Sequence, residues 1–281
     1  MAKGTGLIGN FKGKVGNMVG YNLKDSNNKQ TQGIRVYQPV VRNPKSYAQA
    51  QQRCIMQPIN QSYRLFKEVI TRGYEGVSYG NASRLVWLKD AMKGFTGPWV
   101  RKGIANVYPV DCQMTKGSLP AFSCNIQSDN LRLYVDGVVA ETAVATVGAL
   151  STLLLEKLTY LQEGDQITIV GVNPTSDSKP VAIESIVIKT TSSVALQGIT
   201  TENNRICFDA EFLGLEFIKA GFIVLSREGS NGAHLRSSQF MRFDSDWQSD
   251  VQVYDGDNEV AIRSYMATGT NADWPQEALE G

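Results

Sequence analysis

Residues 4–9, GTGLIG, fit the spacing G-x-G-x-x-G with which a strand-to-helix turn cradles the pyrophosphate of a dinucleotide. That chemistry needs a buried strand before the first glycine, a helix opening at the last, and an acid about twenty residues on for the ribose. Only Met1, Ala2 and Lys3 precede Gly4, and more glycine, asparagine and lysine follow Gly9. The nearest acid, Asp25, sits in the polar run KDSNNKQTQ and reads as a turn. The glycines are therefore expected to let a segment bend and pair, without a nucleotide.

The other residue sets capable of chemistry are sparse. His234, in SNGAHLRSS, is the single histidine; it cannot form a multi-histidine metal site and is expected at a hairpin turn. Cys54, Cys112, Cys124 and Cys207 lack C-x-x-C spacing, which predicts reduced, buried thiols and not zinc. The run FDSDWQSDVQVYDGDNEV holds Asp244, Asp246, Asp250, Asp255, Asp257 and Glu259. Counted from Asp244, the glycine position of a calcium loop is Ser249 and the twelfth is Asp255, so the EF-hand template fails. A solvated loop, or a surface meeting the basic part of a neighbouring copy, is expected there, an irregular calcium loop being the alternative. With no G-x-S-x-G elbow and no G-x-x-x-x-G-K-[ST] loop, the reading is of a protein that is not an enzyme and holds no cofactor or metal.

Charge carries more information. The chain has 281 residues and a net charge of +1, yet residues 1–104 hold 17 Lys and Arg against 4 Asp and Glu, and residues 105–281 hold 11 against 23. A basic front joined to an acidic remainder points to a polyanion partner or to electrostatic assembly between subunits. The candidate contact residues, toward nucleic acid or acidic protein, are Lys12, Lys14, Lys24, Arg35, Arg42, Lys45 and Arg53. Phe11, Tyr21, Tyr37, Tyr47, Tyr63 and Tyr74 lie among them and either stack on bases or pack the hairpin and helices. Without a base-reading signature the basic part predicts phosphate contact that does not read sequence.

These residues need elements to position them. Gly6, Gly9, Gly13, Gly16 and Gly20 recur at helical spacing, but five glycines disfavour a helix by roughly 1 kcal/mol each. VGNMVGYNL (15–23) and GIRVYQPV (33–40) are instead expected as the two strands of a hairpin, within a basic glycine-rich arm over 1–42. A basic helical unit over 43–104 follows. Its first helix runs over 44–56 with Asn43 as cap, and Pro58 ends it. A second buries Ile59, Tyr63, Phe66, Val69 and Ile70, and a third from Asn81 to Gly94 presents Leu85, Leu88 and Met92.

Beyond GFTGPWVRKG the chain becomes short apolar runs between turns: AFSCNIQ, LRLYVDG, QITIVGV, VAIESIVIK, RICFDAEF, GFIVLSRE, LRSSQFMRF and EVAIRSYM. ALSTLLLEKL (149–158) reads as a helix capping them. The fold class is α+β and mainly β: two antiparallel β-sandwich, immunoglobulin-like domains, at 105–190 and 200–270, with Thr190–Thr201 as linker and 271–281 an acidic tail. No apolar run of eighteen residues and no basic-then-apolar leader is present, which predicts a soluble chain made in the cytoplasm.

GLIGNFKGKVGNMVGYNLKD and GIRVYQPVVRNPKSYAQAQQR resemble the start of an uncharacterised family found in Bacteroidota and in the phages and prophages of those hosts. Gly9, Gly13, Lys14, Val15, Gly16, Val19 and Gly20 fit its G-x-x-G-K-V-G-x-x-V-G opening, and Asn43, Pro44, Ala48, Gln49, Gln52 and Arg53 fit its N-P-x-[ST]-x-A-Q-x-x-Q-R run. AGFIVLSREGSNGAHLRSSQFM is similar to a hairpin near the end of such proteins. The longer loop KDSNNKQTQ and the acidic end depart from that pattern. The resemblance implies context and not chemistry: a phage-linked protein, part of a virion. The expected function is a non-enzymatic phage structural protein, a minor or auxiliary virion component, anchored by its basic arm to other virion proteins or packaged nucleic acid. It is expected to be a homo-oligomer without membrane or small-molecule partner. The alternative is a cytoplasmic, sequence-nonspecific nucleic-acid-binding protein.

Overall fold

The computed structural model describes residues 13–24, 30–37, 47–94, 99–101, 112–126, 132–140, 144–173, 176, 179–202, 204–229, 232–244 and 251–253. The chain forms two units, Met1–Lys45 and Ser46–Gly281.

In the first unit β1 (Gly13–Val15), β2 (Met18–Lys24) and β3 (Gln30–Val36) make an antiparallel sheet in that order. The expected strand 15–23 is broken after Val15, because Gly16, at φ +58°, turns the chain with Asn17 so that Val15 pairs with Met18. A third strand results, and the ladder β2–β3 runs from Met18↔Val36 to Lys24↔Gln30. Gly33 pairs with Tyr21, and a Cβ there would stand 2.6 Å from the tyrosine ring, so the ring lies on bare backbone. Residues 38–40 of the expected hairpin lie outside the described residues.

The second unit begins with α1 (Tyr47–Thr71) and α2 (Asn81–Gly94), then β4 (Trp99–Arg101), β5 (Gln113–Thr115), β6 (Cys124–Ile126), β7 (Arg132–Val139) and α3 (Val147–Lys157). It continues through β8 (Gln166–Val172), β9 (Val181–Val187), β10 (Ile199–Glu202), β11 (Arg205–Asp209), α4 (Ala210–Leu213) and β12 (Ala220–Glu228). β13 (His234–Arg236), β14 (Gln239–Phe240), β15 (Arg242–Phe243) and β16 (Val251–Val253) complete it. The described chain is mainly β with antiparallel sheets.

Helix α1 passes through Pro58 without a break, where the sequence predicts two helices. Proline in a helix interior disfavours it by about 3 kcal/mol, but fully burying each of Ile59, Phe66 and Ile70 returns about 1.5–3 kcal/mol. Ser62 Oγ and Asn60 Nδ2 donate to the carbonyls of Pro58 and Met56, each at 2.9 Å, occupying acceptors around the defect. Of the expected α2 face, Leu88 packs half-buried against the core, but Leu85 and Met92 are exposed, while Ser83, Trp87 and Ala91 are buried. The large indole takes the core position, ring to ring with Tyr63 at 5.9 Å, and the small residues one turn either side let the helix approach α1.

Two larger sheets follow, ordered β10-β11-β7-β6 and β13-β12-β8-β9, with β15 also on β12. β7 pairs with β11 and β8 with β12. The expected domains at 105–190 and 200–270 thus interleave in the same sheets and are not separate bodies. Nor is Thr190–Thr201 a free linker: Val194 O accepts from Val147 N–H, Leu196 N–H donates to Ala145 O, and Ile199 enters β10 buried.

The β12-centred sheet is covered on both faces. Ile167, Ile169, Ile223 and Leu225 join Leu133, Val135, Ile206 and Phe208 of the other sheet and Leu150 and Leu154 of α3 in one core. Val170, Val172, Phe222 and Val224, on the opposite face, join Ile59, Phe66 and Ile70 of α1, with Trp87 and Met114, in a second. Thr146 caps α3, its side chain accepting from Ala149 N–H at 3.2 Å.

Candidate functional site

The described strands of the first unit contain seven-residue partners β2 and β3 but no Asp or Glu. Directly paired residues point to one side of an antiparallel sheet, so Lys14↔Val19 and Val19↔Arg35 set Lys14, Val19 and Arg35 in one row. Tyr37 continues that face: its N–H donates to Asn17 O at 2.6 Å, and Lys14 Nζ stands 3.6 Å from its ring centroid. Lys14 and Arg35 are exposed. On the other face Val15, Met18, Ile34 and Val36 are exposed as well, because β1, β2 and β3 bring Val15, Met18 and Val36 into one row. One sheet therefore offers a cationic face and an apolar face.

Of the other sequence candidates, Lys24 pairs with Gln30 at the far end of the β2–β3 ladder from the Met18↔Val36 pair. Arg53 is exposed on α1 of the second unit. Lys12, Arg42 and Lys45 lie outside the described residues, as do GTGLIG and most of the acidic run.

In the second unit several cations of the β-body are paired internally. Arg132 Nε lies 3.0 Å from Asp209 Oδ1, Lys219 Nζ 3.2 Å from Asp244 Oδ2, and Arg205 pairs with Asp136. Arg227 grips Asp165 through Nε and Nη2, each at 2.7 Å. Helices α1 and α2 instead expose Arg64, Lys67, Lys89 and Lys93, the last 3.4 Å from Asp90.

His234 opens β13 just after the turn closed by Gly229 N–H to Ala233 O, exposed, with its ring 5.9 Å from that of Tyr79. Cys112, Cys124 and Cys207 are buried and outside any disulfide, and burial pushes the thiol pKa of Cys112 and Cys124 up to about 12. Asp244, first acid of the calcium-like run, is buried beside Lys219. Among the described residues no three His, Cys, Asp or Glu side chains gather as metal ligands.

Sequence reasoning missed a junction beside α2. A cleft of about 540 Å³ is lined by Tyr74, Glu75, Val77, Val86, Lys116 and Ser118. Glu75 accepts from Ser118 N–H at 2.9 Å, from Ser118 Oγ at 2.9 Å and from Arg236 N–H at 3.2 Å, linking the end of α1 to β13. Nothing in the local sequence around Glu75 marks it, because its partners Ser118 and Arg236 lie 43 and 161 residues away. Burial acts to raise the Glu75 pKa, but the hydrogen bonds from Ser118 and Arg236 together hold it below its ordinary value. A carboxyl depressed on folding stabilises fully above its unfolded pKa, and that contribution is lost as pH falls through the folded one. In urea unfolding, wild type should exceed Glu75→Gln in stability near pH ~7 and lose the advantage near pH ~3. An advantage independent of pH would show that the charge is not what binds the junction.

No family model, curated protein or solved structure matches this chain.

Proposed function

We propose that the chain is a non-enzymatic phage structural protein, a minor or auxiliary virion component anchored through its basic N-terminal segment. The observation that carries this reading is the two-faced sheet, with Lys14 and Arg35 in one cross-strand row and Val15, Met18, Ile34 and Val36 exposed behind it. So small a sheet gains little from burial within itself. A partner that covers the apolar face and neutralises the cations supplies the missing stabilisation. Acidic virion subunits or packaged nucleic acid have that character, and the acidic excess of residues 105–281 suits further copies of the same chain.

The β-body is the part such an anchor would display. Two antiparallel sheets sharing one core support its description as an immunoglobulin-like sandwich, built once from both spans. The resemblance of the GKVGNMVG and NPKSYAQAQQR segments to proteins of Bacteroidota phages supports the virion as the setting.

Mass spectrometry of purified particles of the encoding phage tests the reading. The protein is expected at a defined number per particle, and particles devoid of it would end the structural role. Lys14 beside the Tyr37 ring favours one second reading, a sequence-nonspecific nucleic-acid-binding protein of the cytoplasm. In that case binding to a single-stranded oligonucleotide would fall steeply with added salt.

A further inference from the structure

Among the described residues, helix α2 carries an apolar face that nothing covers. Leu85, Val86 and Met92 are 56%, 38% and 47% exposed, and helical spacing sets Leu85, Lys89 and Met92 on one stripe and Val86, Asp90 and Lys93 on the next. The patch runs into the cleft of about 540 Å³ through Val86, where Val77 and Lys116 add apolar and cationic wall. Its one carboxylate on α2, Asp90, is partly spent: Oδ2 accepts from Gln113 N–H at 3.0 Å, and Oδ1 stands 3.4 Å from Lys93. In the cleft itself, Glu75 is held by Ser118 and Arg236. What remains is an apolar strip edged by Lys89, Lys93 and Lys116. Its ligand should be a short segment mixing apolar side chains with acids.

We propose that the occupant is the chain's own segment 271–281, NADWPQEALEG, docking within the same molecule. Asp273, Glu277 and Glu280 alternate there with Trp274, Ala278 and Leu279, and no lysine or arginine interrupts them. The composition complements the patch in both hydrophobicity and charge. The path is short enough. β16 pairs with β4 with Val253 opposite Trp99, and Trp99 follows the end of α2 at Gly94 by five residues, a span of at most about 17 Å. The twenty residues from Val253 to Asp273 reach up to about 70 Å when extended, several times what is needed. Acidic partners from elsewhere would compete for the same strip. This assignment concerns the isolated chain and does not rest on a place in a virion.

Met92 gives the test a reporter, because hydrogen peroxide oxidises methionine sulfur in proportion to its exposure. The full chain and a chain lacking residues 271–281 are treated with peroxide, and sulfoxide is quantified at each methionine. Exposed Met18 and buried Met241 serve as internal standards. Met92 is expected to react about threefold or more slowly in the full chain, with Met18 unchanged between the two. A full-length variant, Glu277→Lys with Glu280→Lys, should react at the rate of the shortened chain, which separates loss of contact from any effect of shortening. Equal Met92 rates in the full and shortened chains would overturn the proposal. So would protection that grows with protein concentration, since it would place the segment on another molecule.

Discussion

Replacing Asp165 with alanine should lower the stability of the second unit by about 3–5 kcal/mol, the usual cost of stripping one member from a buried ion pair. Asp165 is 1% exposed, and both of its oxygens are engaged: Oδ1 by Arg227 Nε, Oδ2 by Arg227 Nη2 and by Gln162 N–H at 2.9 Å. Arg227 in turn donates to Tyr160 O at 2.8 Å, so the pair ties the turn ahead of β8 to the end of β12. Bonding to Asp165 raises the guanidinium's pKa despite burial, so a bare Asp165→Ala cavity would still face a cation. For a unit of this size the loss corresponds to a fall in Tm of about 10 °C, to be measured by calorimetry. Arg227→Met should cost a similar amount, and the double variant should be well short of the sum, because the second change no longer leaves a buried charge alone. A cost under about 1 kcal/mol for Asp165→Ala would mean that water replaces the carboxylate freely.

Removing residues 1–45 should leave the thermal unfolding of the remainder unchanged while weakening attachment to the proposed virion partner at least about tenfold. Among the described residues, both hydrophobic cores are built from residues after Ser46. The sheet β1–β3 buries Gly20 and little else among its described side chains, so its faces are available for recognition and do not serve as a core. Calorimetry on the shortened chain and pelleting with phage particles provide the two readouts. Undiminished pelleting of the shortened chain would move the anchor to α1, where Arg53, Arg64 and Lys67 are exposed.

Much of the fold was legible where a single local rule dominates. The run of leucines marked α3, and Asn81 and Gly94 marked the ends of α2. What failed were decisions made between elements. Pro58 disfavours a helix locally, yet Ile59, Phe66 and Ile70 bury against a sheet formed more than a hundred residues later. On α2, hydrophobicity favoured Leu85, Leu88 and Met92, of which Leu88 alone packs on the core, because the indole of Trp87 claimed it and the residues one turn either side had to be small.

The sheets were assigned to the wrong domains for a readable reason. ITIVGV and AGFIVLS are nearly continuous apolar runs, and such runs belong to strands covered on both faces, here by α1 on one side and the second sheet on the other. Alternating runs would have meant a sandwich open to water. The candidate site was legible as composition, since the absence of acids from strands rich in Lys and Arg needs only counting. That Lys14 and Arg35 share a row depended on the turn at Gly16–Asn17, which inserted a strand and fixed the register.

The central claim is that this cationic row attaches the chain to its particle. The most direct measurement is the amount of protein incorporated per phage particle when cells supply either the natural chain or Lys14→Glu with Arg35→Glu, quantified by mass spectrometry of purified particles. Both substitutions lie on exposed strand positions outside either hydrophobic core, so the chain should fold alike in either form. Incorporation lower by about tenfold or more is the predicted result; equal incorporation of the charge-reversed chain would contradict it.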